Sequence, residues 1–223
     1  MELHTFTFIE QSFHGDCFPG YLRLRKRHFV DQLGWELSHD GCHEMDQYDH
    51  PLSIYSIVME EGRVVGGARA LPCNADWCGW SYMLGDAARG KIDAIPPDLM
   101  SNYPTSGRTW ECTRLVLDDT RLNADERQTA LKLVVHGLCR VARASGCEEM
   151  LSLSPTVFGR LLKRFGYDCQ AYGRRYVGVE DGRLYGPFRM TCDPSVNLGL
   201  VERSNGDEVS SRRLLTRLVG QAA

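Results

Sequence analysis

The sequence is poor in the features that mark membrane-spanning, nucleic-acid-binding and secreted proteins. Its apolar runs all fall short of the ~18 residues that a membrane-crossing helix needs, and its formal net charge of −3 gives no basic excess for nucleic acid. The opening MELHTFTFIEQ has no basic stretch followed by an apolar core, so we expect no secretory signal. These features favour a cytoplasmic protein with no membrane span and no nucleic-acid partner.

Cysteine is plentiful, but its spacing does not indicate a disulfide framework or a metal site. The nine cysteines are an odd number, and no two are spaced CxxC. In a cytoplasmic chain, such residues are expected to be reduced thiols that pack as small hydrophobes. The segment DGCHEMDQYDH (40–50) mixes cysteine, histidine and aspartate without a recognised metal-ligand spacing, so we expect no bound metal.

The length of 223 residues and the 43% of hydrophobic residues suit one large globular domain. We assign residues 1–190 to this domain. Residues 191–223 are more polar and are predicted to form an extension, in which 209–219 has the pattern of a short amphipathic helix.

The order of the predicted elements indicates an α/β fold. Strands are predicted at 54–60, 63–71, 109–117, 149–153, 176–179 and 183–190. Helices are predicted from residue 20 onward, at 83–88, after an Asn123 cap, and after a Ser154 cap with Pro155 at the first helical position. This order predicts an α-β-α sandwich around a mixed, mostly antiparallel sheet.

Six charged residues fall in segments where burial is expected. They are Arg25, Asp46, Asp49, Arg69, Glu111 and Arg114. Three positive and three negative charges can satisfy one another, so a structural ion-pair network is one interpretation. In a regular strand Glu111 and Arg114 would point to opposite faces, whereas a β-bulge would place both on one face. The sequence leaves both arrangements open.

The order and spacing of these residues resemble the sequence pattern of the acyl-homoserine-lactone synthases, which are the autoinducer synthases of bacterial quorum sensing. The resemblance is carried by RKRHFVDQLGW, EMDQYD, GGARALP and ECTR, and by LLKRFGYDCQAYG, across residues 20–190. It implies a fold similar to the GNAT N-acyltransferases. It also implies transfer of an acyl group from a thioester to the amine of S-adenosylmethionine, followed by lactonisation that releases 5′-methylthioadenosine.

The resemblance also implies roles for the charged and aromatic residues. Glu111 is the candidate base and Arg114 its catalytic neighbour. The S-adenosylmethionine candidates are Arg25, Phe29, Trp35 and Arg69, with Asp46 and Asp49 as braces for the arginines. Phe29 and Trp35 also suit plain core packing, and Arg25 and Arg69 also suit bracing. S-adenosylmethionine is a substrate in this scheme, and no cofactor is expected.

Two further sites are expected for the acyl donor. The candidate acyl pocket comprises Leu151, Ser152, Leu153 and Ser154. The basic residues Arg160, Lys163 and Arg164 crowd one helix and suit docking of an acidic acyl carrier protein, although they also suit a solvated face.

Two rival functions remain at this stage. A GNAT-type acyl-CoA N-acyltransferase would need a glycine-rich turn whose amides hold the pyrophosphate. The corresponding stretch LDDTRLNADERQ (117–128) has no glycine and four acidic residues, which argues against coenzyme A and favours a carrier-protein donor. The other rival is a module that binds S-adenosylmethionine or an acyl chain without turnover.

Overall fold

The structure is a computed structural model that describes residues 1–200. Its strands are β1 (Glu2–Thr7), β2 (Ile54–Glu60), β3 (Arg63–Pro72), β4 (Thr109–Leu117), β5 (Glu149–Pro155), β6 (Cys169–Ala171), β7 (Tyr176–Val177) and β8 (Leu184–Thr191). Its α-helices are α1 (Cys17–Arg25), α2 (Met83–Ala88), α3 (Ala124–Ala144) and α4 (Thr156–Arg164). A 3₁₀ helix spans Phe8–His14, and a π-helical segment, Lys26–Gln32, continues α1. The helix predicted at 209–219 lies outside the described residues.

The strands form one sheet in the order β1-β2-β3-β4-β5-β8-β6, with β7 paired to β8. Every pairing is antiparallel except that of β4 with β5. These two parallel strands pair only from Thr109 to Cys112 on β4 and from Glu149 to Ser152 on β5. Beyond these residues the two strands have no ladder between them, which leaves an opening in the middle of the sheet.

Helices cover both faces of the sheet, as the predicted sandwich requires. On one face, the apolar stripe of α3 packs with α4 over the main core, which includes Leu131, Val134, Leu138 and Leu162. On the other face, α1 and the π-helical segment pack over Phe6, Tyr55, Ile57 and Val116. A third apolar cluster surrounds α2 and includes Leu71, Leu84, Leu99 and Leu151. The α/β sandwich with a mostly antiparallel sheet is confirmed.

Of the two helix caps predicted from the sequence, one is confirmed and one is wrong. The predicted Asn123 cap is confirmed, because its side chain accepts from the N–H groups of Asp125 and Glu126. The predicted Ser154 cap is wrong, because Ser154 is part of β5 and Pro155 occupies the cap position of α4. In the described residues no helix has the length and apolar character to cross a membrane.

Candidate active site

Arg25, at the end of α1, is fully buried among acidic side chains. Its Nε donates to Glu44 at 2.5 Å, and its Nη1 and Nη2 donate to Asp49 at 2.9 and 3.0 Å. Asp46 lies 3.8 Å from Nη2. Because the guanidinium has 0% exposure and faces acids along its whole edge, this geometry favours a bracing role over direct contact with substrate.

Arg69, on β3, holds the other side of the same acids. Its Nη1 lies 2.6 Å from Asp46 and 2.8 Å from Asp49, and its Nε donates to the hydroxyl of Thr113 at 3.2 Å. Burial alone would raise the pKa of Asp46 and Asp49, but the facing guanidinium groups hold both pKa values below their usual range. The two aspartates are therefore ionised braces, and Arg69, like Arg25, is fully buried.

Arg114 shows how β4 brings an acid and a base to one side of the sheet. It has a positive φ of 55°, and the register with β3 shifts between Gly67 and Arg69. The resulting bulge turns the Arg114 side chain toward the cluster, where it meets Glu44 at 3.3 Å and Asp46 at 2.9 Å. The bulged arrangement, rather than the regular strand, is the one observed.

Glu44 is a member of the cluster that sequence reasoning missed. It is fully buried and joins Arg25 to Arg114 through its two carboxylate oxygens. Its signal was present in the EMDQYD motif, which places an acid two residues before Asp46. The cluster therefore consists of three arginines and three acids without Glu111; we call it the arginine–acid cluster (Arg25, Glu44, Asp46, Asp49, Arg69 and Arg114).

Glu111, in β4, is held by backbone N–H groups instead of by an arginine. Met83 N–H donates to its Oε2 at 2.6 Å and Leu84 N–H to its Oε1 at 2.9 Å. The side chain is fully buried and forms no ion pair with any described residue. Burial raises its pKa to about 7, against the lowering effect of the two N–H bonds and of nearby Arg69.

Aromatic side chains border the exposed edge of the arginine–acid cluster. Phe29 stacks on Trp35 with 5.1 Å between the ring centroids, and the Arg114 guanidinium lies 5.6 Å from the Phe29 ring. Tyr185, at the start of β8, lies near Trp35, with 6.5 Å between the ring centroids. Arg114 retains 11% side-chain exposure whereas Arg25 and Arg69 have none, so this edge is the more accessible side of the cluster.

An apolar cavity of about 40 Å³ lies on the opposite face of the sheet, beside the opening between β4 and β5. Its walls come from α3, α4 and four strands, and include Cys112, Leu115, Ser152, Ser154, Phe158, Leu162 and Phe188. Leu151 also contributes to its wall. Leu153 is not in the wall, because it packs with the third apolar cluster around α2. In a regular strand Leu153 points to the face opposite Ser152 and Ser154. Alternation does not account for Leu151, which belongs to the third cluster and also lines the cavity.

The remaining predicted site residues lie on the surface of α4. Arg160, Lys163 and Arg164 are all exposed, and none forms an ion pair within residues 1–200. In the same residues there is no group of three or more His, Cys, Asp or Glu side chains that could hold a metal ion.

A sheet that opens between two parallel strands, with helices on both faces, is the architecture of the GNAT-like acyltransferases. An acyl-CoA N-acyltransferase from Pseudomonas aeruginosa matches the fold with a TM-score of 0.51 and 12% identity, over 85% of this chain and 99% of that one. A coenzyme A-dependent acyl-homoserine lactone synthase, BjaI, solved with SAM and isopentyl-CoA, matches better, with a TM-score of 0.68 and 17% identity over 92% of this chain and 89% of that one.

The sequence comparisons narrow this class to one family. Residues 8–176 match the autoinducer synthase family model. An acyl-homoserine-lactone synthase of Aeromonas salmonicida is 28% identical over 200 residues, which is 87% of this chain and 89% of the relative. The chain belongs to the autoinducer synthase family.

Proposed function

We propose that this protein is an acyl-homoserine-lactone synthase. It joins the acyl group of a thioester to the α-amine of S-adenosylmethionine, and the amide product then lactonises and releases 5′-methylthioadenosine. The observation that carries this proposal is the buried Glu111, which pairs with no arginine among residues 1–200 and has a pKa of about 7. It lies between a charged edge and an apolar cavity.

Glu111 is suited to accept the proton of the amine. An α-amino group has a pKa of roughly 7.7–8.0, close to the value of about 7 for this carboxyl. Transfer of the proton from the ammonium to the carboxylate is therefore nearly balanced, and the free amine then attacks the thioester carbonyl. The thiol leaves, and the amide bond remains.

The arginine–acid cluster provides the electrostatic wall for the amino-acid end of S-adenosylmethionine. Of its three arginines, Arg114 alone retains some side-chain exposure, so we assign to it the contact with the methionyl carboxylate. Phe29 and Trp35 offer aromatic faces to the adenine ring or the sulfonium cation beside it. Arg25 and Arg69 act through the acids, which hold Arg114 in place.

Substrate access to Glu111 requires movement of the first turn of α2. Both carboxylate oxygens are engaged by the N–H groups of Met83 and Leu84. The same helix is anchored by Asp86, which accepts from the hydroxyl of Tyr48 at 3.0 Å and from Arg89 at 2.7 Å. We propose that α2 shifts when substrate binds, so that the amine replaces a backbone N–H at Glu111.

The acyl chain is assigned to the apolar cavity on the other face of the sheet. The thioester carbonyl would then lie in the opening beyond Cys112 and Ser152, where β4 and β5 no longer pair. Backbone N–H groups on these facing strand edges are the natural donors to the oxyanion of the tetrahedral intermediate.

We propose an acyl carrier protein as the donor's carrier. The first N–H groups of α3 are occupied by the Asn123 side chain, and Glu126 bonds back to the Asn123 N–H. These N–H groups are therefore not free to hold a pyrophosphate. The three exposed bases of α4 offer a surface for an acidic carrier instead. Acyl-coenzyme A is the second candidate, because the structurally similar BjaI is a coenzyme A-dependent synthase.

The function is tested by incubating the purified chain with S-adenosylmethionine and two panels of thioesters, acyl carrier protein-bound and coenzyme A-bound. We expect 5′-methylthioadenosine and an acyl-homoserine lactone in equal amounts, measured by liquid chromatography and mass spectrometry. Binding of S-adenosylmethionine with neither product from any donor would identify a binding module and reject the synthase.

The carrier dock has its own test, in which Arg160, Lys163 and Arg164 are changed together to glutamate. The apparent KM for a carrier-bound donor should rise because like charges then face the acidic carrier, while the KM for an acyl-coenzyme A donor should change much less. Arg63→Glu, at the exposed first residue of β3, is the control. An unchanged KM for the carrier-bound donor places the dock elsewhere.

We also propose that the enzyme works in the cytoplasm. Seven of the nine cysteines are buried or half-buried, which suits cysteines that pack as small hydrophobes in a reducing compartment.

A further inference from the structure

Gly159 of α4 lies in direct contact with one wall of the apolar cavity. A Cβ atom placed on it would meet three atoms of the Phe188 ring, at 2.3, 2.8 and 3.0 Å. Real Cβ atoms do not approach this closely, so the ring rests on the helix backbone only because residue 159 has no side chain. Gly159 has no positive φ, so the space it leaves, rather than its backbone conformation, distinguishes this position.

The Phe188 ring has little freedom to move except into the cavity. Its strand, β8, is paired on both sides at this residue, with Ser152 of β5 and with Ala171 of β6. A shift of the backbone would break two ladders, so a crowded ring must turn about its own side-chain bonds. The ring and Ser152 both line the cavity, and the turned ring would enter that space.

The cavity is small enough for this motion to matter. At about 40 Å³ it has room for only a few water molecules. A longer acyl chain therefore needs a wall that yields. The other walls come from α3, α4 and the strands, and they include packed core side chains such as Leu138, Met150 and Leu162.

We propose that Gly159 and Phe188 together set the length of the acyl chain that the enzyme accepts. The proposal rests on the synthase function and on the assignment of the cavity to the acyl chain. Gly159 lets the Phe188 ring lie back against α4, and the ring closes the end of the pocket. A larger residue at 159 shortens the pocket, and a smaller one at 188 lengthens it.

The test is a competition between two acyl donors that differ by two methylenes, with the products quantified by mass spectrometry. Gly159→Ala should shift the product ratio toward the shorter chain, and Phe188→Leu toward the longer one. Each methylene contributes roughly fourfold to kcat/KM, so two methylenes should change the ratio by up to roughly 16-fold. The double variant should return toward the wild-type ratio, because the smaller side chain makes room for the added Cβ.

Phe165→Leu is the matched control. Phe165 lies at the end of the same helix with a similar exposure, 7% against 9% for Phe188, but it does not line the cavity. It should leave the product ratio unchanged. If Gly159→Ala fails to fold, Phe188→Leu and this control still decide the question.

Two negative results have different meanings. An active Phe188→Leu variant with the wild-type ratio overturns the length proposal and leaves the synthase function intact. Absence of any product from the wild-type chain with every donor rejects the synthase function, and the length proposal falls with it.

Discussion

Replacement of Glu111 by glutamine removes one proton acceptor and keeps the shape of the side chain. The amide oxygen still accepts from one of the two N–H groups of α2, while the amide nitrogen faces the other. If Glu111 is the base, turnover should fall by roughly 10²–10⁴-fold. The release of 5′-methylthioadenosine measures this loss. Glu61→Gln, at an exposed turn, is the matched control and should keep the wild-type rate.

The pH dependence of the rate separates a base from a merely structural residue. A carboxyl group with a pKa of about 7 is protonated below neutrality and cannot then accept the proton of the amine. The wild-type rate should therefore rise with pH through about 7. The glutamine variant should lose this rise. Any pH dependence that comes from ionisation of the substrate amine should remain.

The same pKa value predicts how the free energy of unfolding changes with pH. The pKa of Glu111 is about 7 in the folded chain and 4.5 without the fold, so the folded state binds more protons between these values. This contribution is fully present below pH 4.5 and is lost as pH rises through about 7. This difference between the two pKa values corresponds to roughly 3 kcal/mol. Urea denaturation at pH 5 and pH 8 should show this loss in the wild type and not in Glu111→Gln. A wild-type rate in the glutamine variant, together with equal pH dependence of both proteins, would refute the reasoning.

The remaining predictions concern two residues with structural roles, Arg25 in the arginine–acid cluster and Asn123 at the start of α3. Arg25→Met leaves Glu44 and Asp49 buried with fewer countercharges, so the free energy of unfolding should fall by about 3–5 kcal/mol; a loss below about 1 kcal/mol in urea denaturation would contradict the brace. Asn123→Ala removes the α3 cap and should cost about 1 kcal/mol with an unchanged rate of methylthioadenosine release, since the cap has no role with a carrier-bound donor. A lower rate at full stability would show that this helix end takes part in donor binding.

Much of the sheet was predictable because its strands carry strong local signals. The hairpin of β2 and β3 is marked by two largely apolar runs on either side of Glu61-Gly62, and α3 by a capping box and a long apolar stripe. The strands β1 and β6 were missed. β1 has only two buried residues among six and β6 only one among three, so both are stabilised by sheet pairing more than by a pattern of their own.

The site was predictable in its residue types and less so in its contacts. Arg25, Asp46, Asp49, Arg69 and Arg114 come together as their expected burial required. The left-handed conformation at Arg114 gave no signal, because the surrounding sequence suits a regular strand. The partners of Glu111 lie in α2, 27 and 28 residues away, and contacts across such a loop leave no periodic trace in the sequence.

The separation of Glu111 from the arginines explains how one site can contain both the arginine–acid cluster and a base. The three arginines of the cluster are matched by three acids, Glu44, Asp46 and Asp49, so no guanidinium is left to pair with Glu111. An arginine in direct contact would favour the carboxylate and lower its pKa toward or below 4. The base would then be too weak to take a proton from an ammonium group. Neutrality of the cluster is thus a condition for the basicity of Glu111, and loss of any one of the three acids should lower the pKa at which the rate rises.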